Sequence, residues 1–429
     1  MKKIIEFVKS IQSVLLLLFG KVTAKALSFC FILLVTQIYG VETVGEISLL
    51  YALVGGLAIF TSAGIPIYFL KSIAVSSDKR FIFITGNYSV ILLSFIAILI
   101  FIILYFLGGS LILNRGTLNS VIFASALLIP YALVQLNQTA LRAISKDRSI
   151  VIIDLIVSSV PITVLFFCSM STYADPDNID VRLLIIVSYI FAMGISLFLV
   201  MKHMEVKARV YVNVKNIISS IIKARSFFAI SIAQFLNGYI SIFLIYSLLG
   251  TEKLGIFYIL SSFSGISLII LGVVNSWIAP QFAKAYDANE IEYLGSLSRK
   301  ANFSAIALAS PIFMGLAIFA KQLLDMYEIY SQETHLVLGA MILFQVLNLY
   351  LSSVGYLLAM SGNHRYYSKL VAISAVITGV LSFILIPLYG LLGAAIGGGV
   401  ALAFWNIASF IKCKKIFGFS PAWYPGYKI

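Results

Sequence analysis

Charge is scarce in this chain. Only 11% of its 429 residues are Asp, Glu, Lys or Arg, whereas soluble globular chains carry roughly a quarter. A water-soluble domain of this length needs more polar surface than that, so the composition excludes one. Cysteine is rare as well: Cys30, Cys168 and Cys413 are scattered, two of them inside apolar runs. An odd, dispersed set of this kind argues against a disulfide framework. Cys413, flanked by Lys412 and Lys414, is open to juxtamembrane lipidation. The three histidines, His203, His335 and His364, stand apart and lack metal-ligand spacing. The phosphate-binding pattern G-x-x-x-x-G-K-[ST] does not occur, which argues against ATP hydrolysis within this chain. No nucleophile–base pair stands out, and a membrane glycan polymerase or ligase would need a large outer loop that the spacing leaves no room for. The expected protein is not an enzyme.

What the chain has in abundance is apolar length. It is 61% hydrophobic with a mean hydropathy of +1.04. A bilayer core takes about 20 apolar residues per helix. That length, applied along the sequence, gives twelve spans at roughly 15–39, 44–70, 81–107, 118–143, 149–170, 181–200, 226–249, 255–280, 301–323, 335–360, 369–388 and 391–411. The opening stretch MKKIIEFVKSIQSVLLLLFGK imitates a signal peptide, yet it lacks a small-residue cleavage site and runs on into the first span. It is read as retained.

Basic residues set the orientation. Twenty-four of the 30 Lys and Arg fall on one side of this plan, and the outer loops hold Asp175, Asp177, Asp180, Asp325, Glu328 and Glu333. The positive-inside rule makes both termini cytoplasmic. The net charge of +13 is mostly this bias, so no nucleic-acid partner is implied.

Two hexamers organise the chain. GVETVG at 40–45 joins spans 1 and 2, and GTEKLG at 250–255 joins spans 7 and 8; the separation is 250 − 40 = 210. LRAISKDR ending at Arg148 and LAMSGNHR ending at Arg365 repeat at 365 − 148 = 217. IPIYFLK (Ile65–Lys71) and APQFAK (Ala279–Lys284) form a looser third pair. Tight turns favour Gly for its positive φ, which would account for one echo alone. Three echoes in register with six plus six spans imply two homologous halves running in the same direction, an arrangement found in secondary transporters. The expected fold is an all-α polytopic membrane protein, with twelve transmembrane helices in two six-helix lobes related by a parallel pseudo-two-fold repeat. The N-terminal lobe covers 1–200, an amphipathic cytoplasmic linker 201–225, and the C-terminal lobe 226–429 with a short basic tail.

Three stretches carry a family resemblance: VETVGEISLLYALVGG, LLAMSGNHRYYSKLVAI and LIPLYGLLGAAIGGGVALAFWNI. With them the chain resembles the Wzx-type O-antigen and polysaccharide flippases of the multidrug/oligosaccharidyl-lipid/polysaccharide (MOP) exporter superfamily, over essentially its whole length. The resemblance implies a multi-pass protein of the bacterial inner membrane that moves an undecaprenyl-diphosphate-linked oligosaccharide to the periplasmic leaflet. It further implies alternating access coupled to H⁺ or Na⁺ with no other cofactor, and association with glycan polymerase machinery. Lipid II flippases of the superfamily usually carry two extra helices, so twelve spans favour the polysaccharide branch. Exporters of capsular or exopolysaccharide intermediates and cation-coupled multidrug transporters of the same superfamily are the alternatives.

Such a cargo carries a diphosphate, so ionisable residues inside spans are the first candidates. Lys21 and Lys25 sit at i, i+4 on one face of span 1. Lys21 lies near the cytoplasmic boundary, where it can snorkel. Lys25 is expected to line the cavity and receive the diphosphate. Asp154, in span 5 at an estimated depth matching Lys25, is the ion-coupling candidate, or else a static partner of Lys25 or Arg148. Arg148, Arg365 and Arg142 are expected to form a cytoplasmic vestibule or gate. Gln37, Gln138, Asn237, Gln345 and Asn348 are open to sugar binding or interhelical bonding, and Gly393 with Gly397 reads as a close helix contact.

Overall fold

Inside hydrocarbon a backbone must satisfy its own amides and carbonyls, and a helix does so within one segment. The computed structural model describes residues 2–75, 78–104, 115–144, 146–170, 180–204, 213–351 and 353–422, and these are helical apart from short connections. The helices are α1 (Lys2–Tyr39), α2 (Val41–Ser62), α3 (Ile65–Val75), α4 (Lys79–Leu104), α5 (Arg115–Ala143), α6 (Asp147–Met170), α7 (Val181–His203) and α8 (Val214–Leu249). There follow α9 (Thr251–Ser264), α10 (Ile266–Asp287), α11 (Ile291–Ile318), α12 (Ala320–Met326), α13 (Gln332–Tyr350), α14 (Val354–Met360) and α15 (His364–Phe417). Asp175 and Asp177 of the expected outer loop lie outside the described residues.

Among the described residues, ten helices are long and apolar enough to cross a membrane. α9 and α10, bent by 41°, pass the same test only together and, counted as one broken span, raise the number to eleven. α15 is 54 residues long and is interrupted at Gly390 (φ 57, ψ −134), so it comprises two spans. The total, 10 + 1 + 1, is the expected twelve. Helices nevertheless outrun the apolar windows: α8 starts at Val214, inside the expected linker, and α11 at Ile291. Hydropathy marks only the part of a helix that lies in hydrocarbon, whereas the hydrogen-bonded ladder continues beyond it.

Gly390 holds a conformation open only to glycine, and a Cβ there would also sit 3.2 Å from Glu333 Oε1. Gly390→Ala is therefore expected to cost about 1–3 kcal/mol, read as a lower melting temperature in detergent. Gly398→Ala, in a helix with open space around it, should be neutral or slightly stabilising. Past the break α15 doubles back on itself. A Cβ at Gly397 would lie 2.8 Å from Ser382 Oγ, and one at Gly393 would meet the Leu385 carbonyl, so both glycines serve the close contact expected of them.

The chain forms two compact units: Met1–Tyr39 with Glu46–Phe235, and Gly40–Gly45 with Leu236–Ile429. In the first, α1 packs along α6, α7 against α5 and α6, and α3 against α5. Leu50, Leu127, Leu136 and Ile153 are fully buried, while Phe19, Leu99 and Phe198 stand exposed. Large apolar side chains on the outside mark a surface solvated by acyl chains rather than water. In the second unit, α13 packs on α9 and α15, and α14 on α15. Cys413 is buried there with its thiol 3.7 Å from the Val354 carbonyl, which removes it as a lipidation site.

The second unit also explains the paired hexamers. Gly40 (φ 81) and Gly250 (φ 87) turn the chain by the same left-handed step. The last glycine of each hexamer then seats the other's backbone: Gly45 faces the Thr251 carbonyl and Gly255 faces the Val41 carbonyl. Val41 and Thr251 occupy the same place in their hexamers, so the crossing is reciprocal. The duplicated loop is a matched pair of notches.

Candidate functional site

In the N-terminal unit α1 and α6 run side by side in one direction. Gly20 faces Val151, Lys21 meets Asp154 and Ser28 meets Ser158, the partners advancing together. Gly20 permits this approach because a side chain there would occupy the space of the Val151 methyls. Lys21 Nζ lies 3.2 Å from Asp154 Oδ2. The other oxygen, Asp154 Oδ1, accepts from Gln138 Nε2 of α5 at 2.7 Å. Ser28 Oγ donates to Ser158 Oγ at 3.3 Å, and Ser158 Oγ donates to the Asp154 carbonyl at 3.0 Å. The ion pair is not sealed, with side-chain exposures of 32% for Lys21 and 23% for Asp154.

Lys25 is the next turn along α1. It is half-buried, its Nζ 4.9 Å from the centroid of the Phe29 ring, an arrangement favourable to a cation. Among the described residues no carboxylate forms an ion pair with it. Two lysines and one aspartate leave the cluster at 2 − 1 = +1, and the surplus resides on Lys25. Counted back from Tyr39, Lys25 is about 21 Å and Lys21 about 27 Å from the end of α1.

Asp154 thus pairs with Lys21 and not with Lys25 or Arg148. The depth estimate that matched it to Lys25 measured each helix from its own loop, and neighbouring helices start at different levels. Arg142 and Arg148 are exposed near the junction of α5 and α6, and Arg365 is exposed at the start of α15 in the other unit.

A second charged cluster escaped the sequence. Arg182 donates to Asp180 from Nε at 2.9 Å and from Nη2 at 2.8 Å, lies 3.1 Å from Glu46 Oε2, and stacks 4.3 Å from the Phe123 ring centroid. Asp180 also caps α7 by accepting from the Arg182 amide. Its only sequence signal was an Asp two residues before an Arg at a helix start. Partial burial pushes the Asp180 carboxyl up, but hydrogen bonds from Arg182 and its charge outweigh this and hold it below the usual carboxylate range. The folded value lies under the unfolded one, so this stabilisation is present above about pH 4 and is lost as pH falls through the folded value. Asp180→Asn is expected to flatten the acid limb of the stability–pH curve, measured by thermal unfolding at successive pH values.

The second half has no counterpart of the lysine cluster. Offsets of 210 and 217 put Ser231, Phe235 and Val371 where the first half has Lys21, Lys25 and Asp154. There α8 and α15 are joined by neutral bonds: Asn237 Nδ2 donates to the Val371 carbonyl at 2.9 Å and to Ser374 Oγ at 3.0 Å, and Ser241 lies 3.1 Å from Ser382. Asn406 donates to Asn348 at 3.1 Å, and Asn348 and Ser267 both donate to Gln345 at 3.1 Å. For Asn237, Gln345 and Asn348 interhelical bonding accounts for the contacts.

Residues 10–286 match the model of a family described as "Polysaccharide biosynthesis protein". The chain belongs to that family. No curated protein matches it. Solved structures give its fold. An inward-facing multidrug resistance MATE family transporter of the MOP superfamily aligns with TM-score 0.66 and 16% identity over 92% of this chain and 94% of that one. The lipid II flippase MurJ in an inward closed conformation aligns with TM-score 0.69 and 15% identity, over 93% and 87% respectively. A MOP superfamily transporter from Pyrococcus furiosus, described by a binding pocket of reversed polarity, aligns at 0.58 and 17%, over 96% of each chain. This family member therefore has the two-lobe, twelve-helix fold of MOP superfamily transporters and is a multi-pass membrane protein.

Proposed function

We propose that the protein is a flippase for an undecaprenyl-diphosphate-linked oligosaccharide, carrying it from the cytoplasmic to the periplasmic leaflet by alternating access, with both termini cytoplasmic. The observation that carries this reading is Lys25: a cation with no carboxylate paired to it among the described residues, about 21 Å inside a membrane helix, one turn beyond the Lys21–Asp154 pair. A charge at such depth costs about 2.5–3.5 kcal/mol on insertion scales, and an anionic cargo offsets that cost. A cationic drug would need the opposite sign, which sets the multidrug reading aside. The diphosphate is common to O-antigen, capsular and exopolysaccharide intermediates; the O-antigen repeat unit is the version we favour.

Arg142 and Arg148 in the first unit, and Arg365 in the second, each supply cytoplasmic positive charge for a vestibule or gate role toward the diphosphate. Lys21 and Lys25 then receive it, while Asp154 takes up H⁺ or Na⁺ as Lys21 turns from its carboxylate to phosphate. Cargo and ion drive the cycle only through different affinities for the two states. The prenyl tail stays in lipid, and a glycan polymerase consumes the delivered unit. Complementation of a polysaccharide-export null strain tests the reading: wild type is expected to restore surface glycan and Lys25→Ala to fail at equal membrane abundance. Rescue by both would remove the role given to Lys25.

A further inference from the structure

A cavity of about 500 Å³ opens in the N-terminal unit where α4 and α6 begin and α7 ends, lined by Asp78, Lys79, Arg80, Lys146, His203 and Met204 among others. Three fixed cations face one carboxylate, 3 − 1 = +2 with His203 neutral. The walls are held in place. Arg80 Nε donates to the Met204 carbonyl at 2.7 Å, and His203 Nε2 lies 3.1 Å from Ser149 Oγ. Asp78 Oδ1 accepts the Phe81 amide at 3.1 Å, which engages the carboxylate with its own helix. The amino ends of α4 and α6 add positive potential at the rim, partly offset by the carboxyl end of α7. Topological bias alone scatters cations over loops; here two segments distant in sequence, at 79–80 and at 146, bring theirs to one concavity beside the end of α7.

We propose that this cavity binds the phosphate of an anionic phospholipid head group from the surrounding leaflet. Its place at the ends of spans puts it at head-group level. Ile152 of α6 and Phe198 and Met201 of α7, within two turns of the rim, are exposed apolar side chains along which acyl chains can lie. Basic pockets among transmembrane helices on the cytoplasmic side hold such head groups by charge. The assignment rests on the proposed function only for which face is cytoplasmic. Lys21, Lys25, Asp154, Arg142 and Arg148 do not line the cavity, although its Lys146 shares the α5–α6 connection with the two arginines given to the vestibule.

Native mass spectrometry of the full chain in neutral detergent tests it, with phosphatidylglycerol or phosphatidylcholine of identical acyl chains. Phosphatidylglycerol is expected to be retained preferentially, and Lys79→Gln/Lys146→Gln to weaken its retention about thirtyfold with phosphatidylcholine unchanged. Both lysines are exposed, so the variant should fold. Lys215→Gln/Lys223→Gln, exposed on α8 and not lining the cavity, controls for net charge and should bind as wild type does. Equal retention of the two lipids, or a double variant that keeps phosphatidylglycerol, would overturn the proposal. Inorganic phosphate displacing phosphatidylglycerol at equal ionic strength to a chloride control, with the affinity of the lipid, would assign the cavity to free phosphate and overturn the lipid as its ligand. Because lipid retention is read without transport, its failure is distinct from failure of the flippase reading.

Discussion

Gly45→Val and Gly255→Val are each expected to lower the yield and melting temperature of the protein sharply, and by similar amounts. Overpacking a well-fitted contact with a side chain costs typically about 1–3 kcal/mol, and here the obstacle is backbone. A Cβ on Gly45 meets the Thr251 carbonyl, and one on Gly255 meets the Val41 carbonyl. Neither carbonyl can rotate aside, because each belongs to the first turn of a helix, so the turns at 41–45 and 251–255 must move apart. The two substitutions act on one crossing, so the double variant should lose less than the sum of the singles. Gly315→Ala, helical with nothing within 4 Å, is the control and should be neutral. Thermal unfolding in detergent reads all four; full additivity, or tolerance of either valine, would contradict the reciprocal notch.

The second large effect concerns the Lys21–Asp154 pair. Lys21→Ala and Asp154→Ala should each destabilise the protein, because each strands the other's charge in a low-dielectric interior. The double alanine variant should recover most of that stability, since no charge is left alone. Transport should not recover with it if the pair works in cargo and ion handling. A double variant that is both stable and fully active would reduce the pair to mutual neutralisation. Asp154→Asn, which keeps shape and the Gln138 neighbour, isolates coupling: transport measured across a pH and Na⁺ series should lose its dependence on the coupling ion.

Span number and duplication were legible because hydrocarbon imposes a length and a repeat imposes an offset. Both are one-dimensional quantities. The glycines of the hexamers could be read for the same reason, since each marks a local backbone demand, whereas the break at Gly390 between the last two spans emerged only from the structure. Pairing was not legible. Asp154 chose Lys21 over Lys25 through the relative heights of α1 and α6, and no single helix encodes its height against a neighbour. Arg182 looked like an ordinary outer-side residue until Asp180 at its own helix cap, Glu46 of α2 and Phe123 of α5 closed round it. The basic cavity is the same case: Lys79, Arg80 and Lys146 were visible as cations of one side, but their convergence depends on the starts of α4 and α6 meeting.

Proteoliposomes carrying a fluorescent undecaprenyl-diphosphate oligosaccharide in one leaflet, assayed by access of a membrane-impermeant quencher, test the cationic path most directly. Wild type is expected to move the glycan across and to lose that activity with Lys25→Ala, while Lys25→Arg retains a substantial part. Movement by Lys25→Ala at the wild-type rate, or none by wild type under any H⁺ or Na⁺ gradient, would contradict a diphosphate received by Lys25.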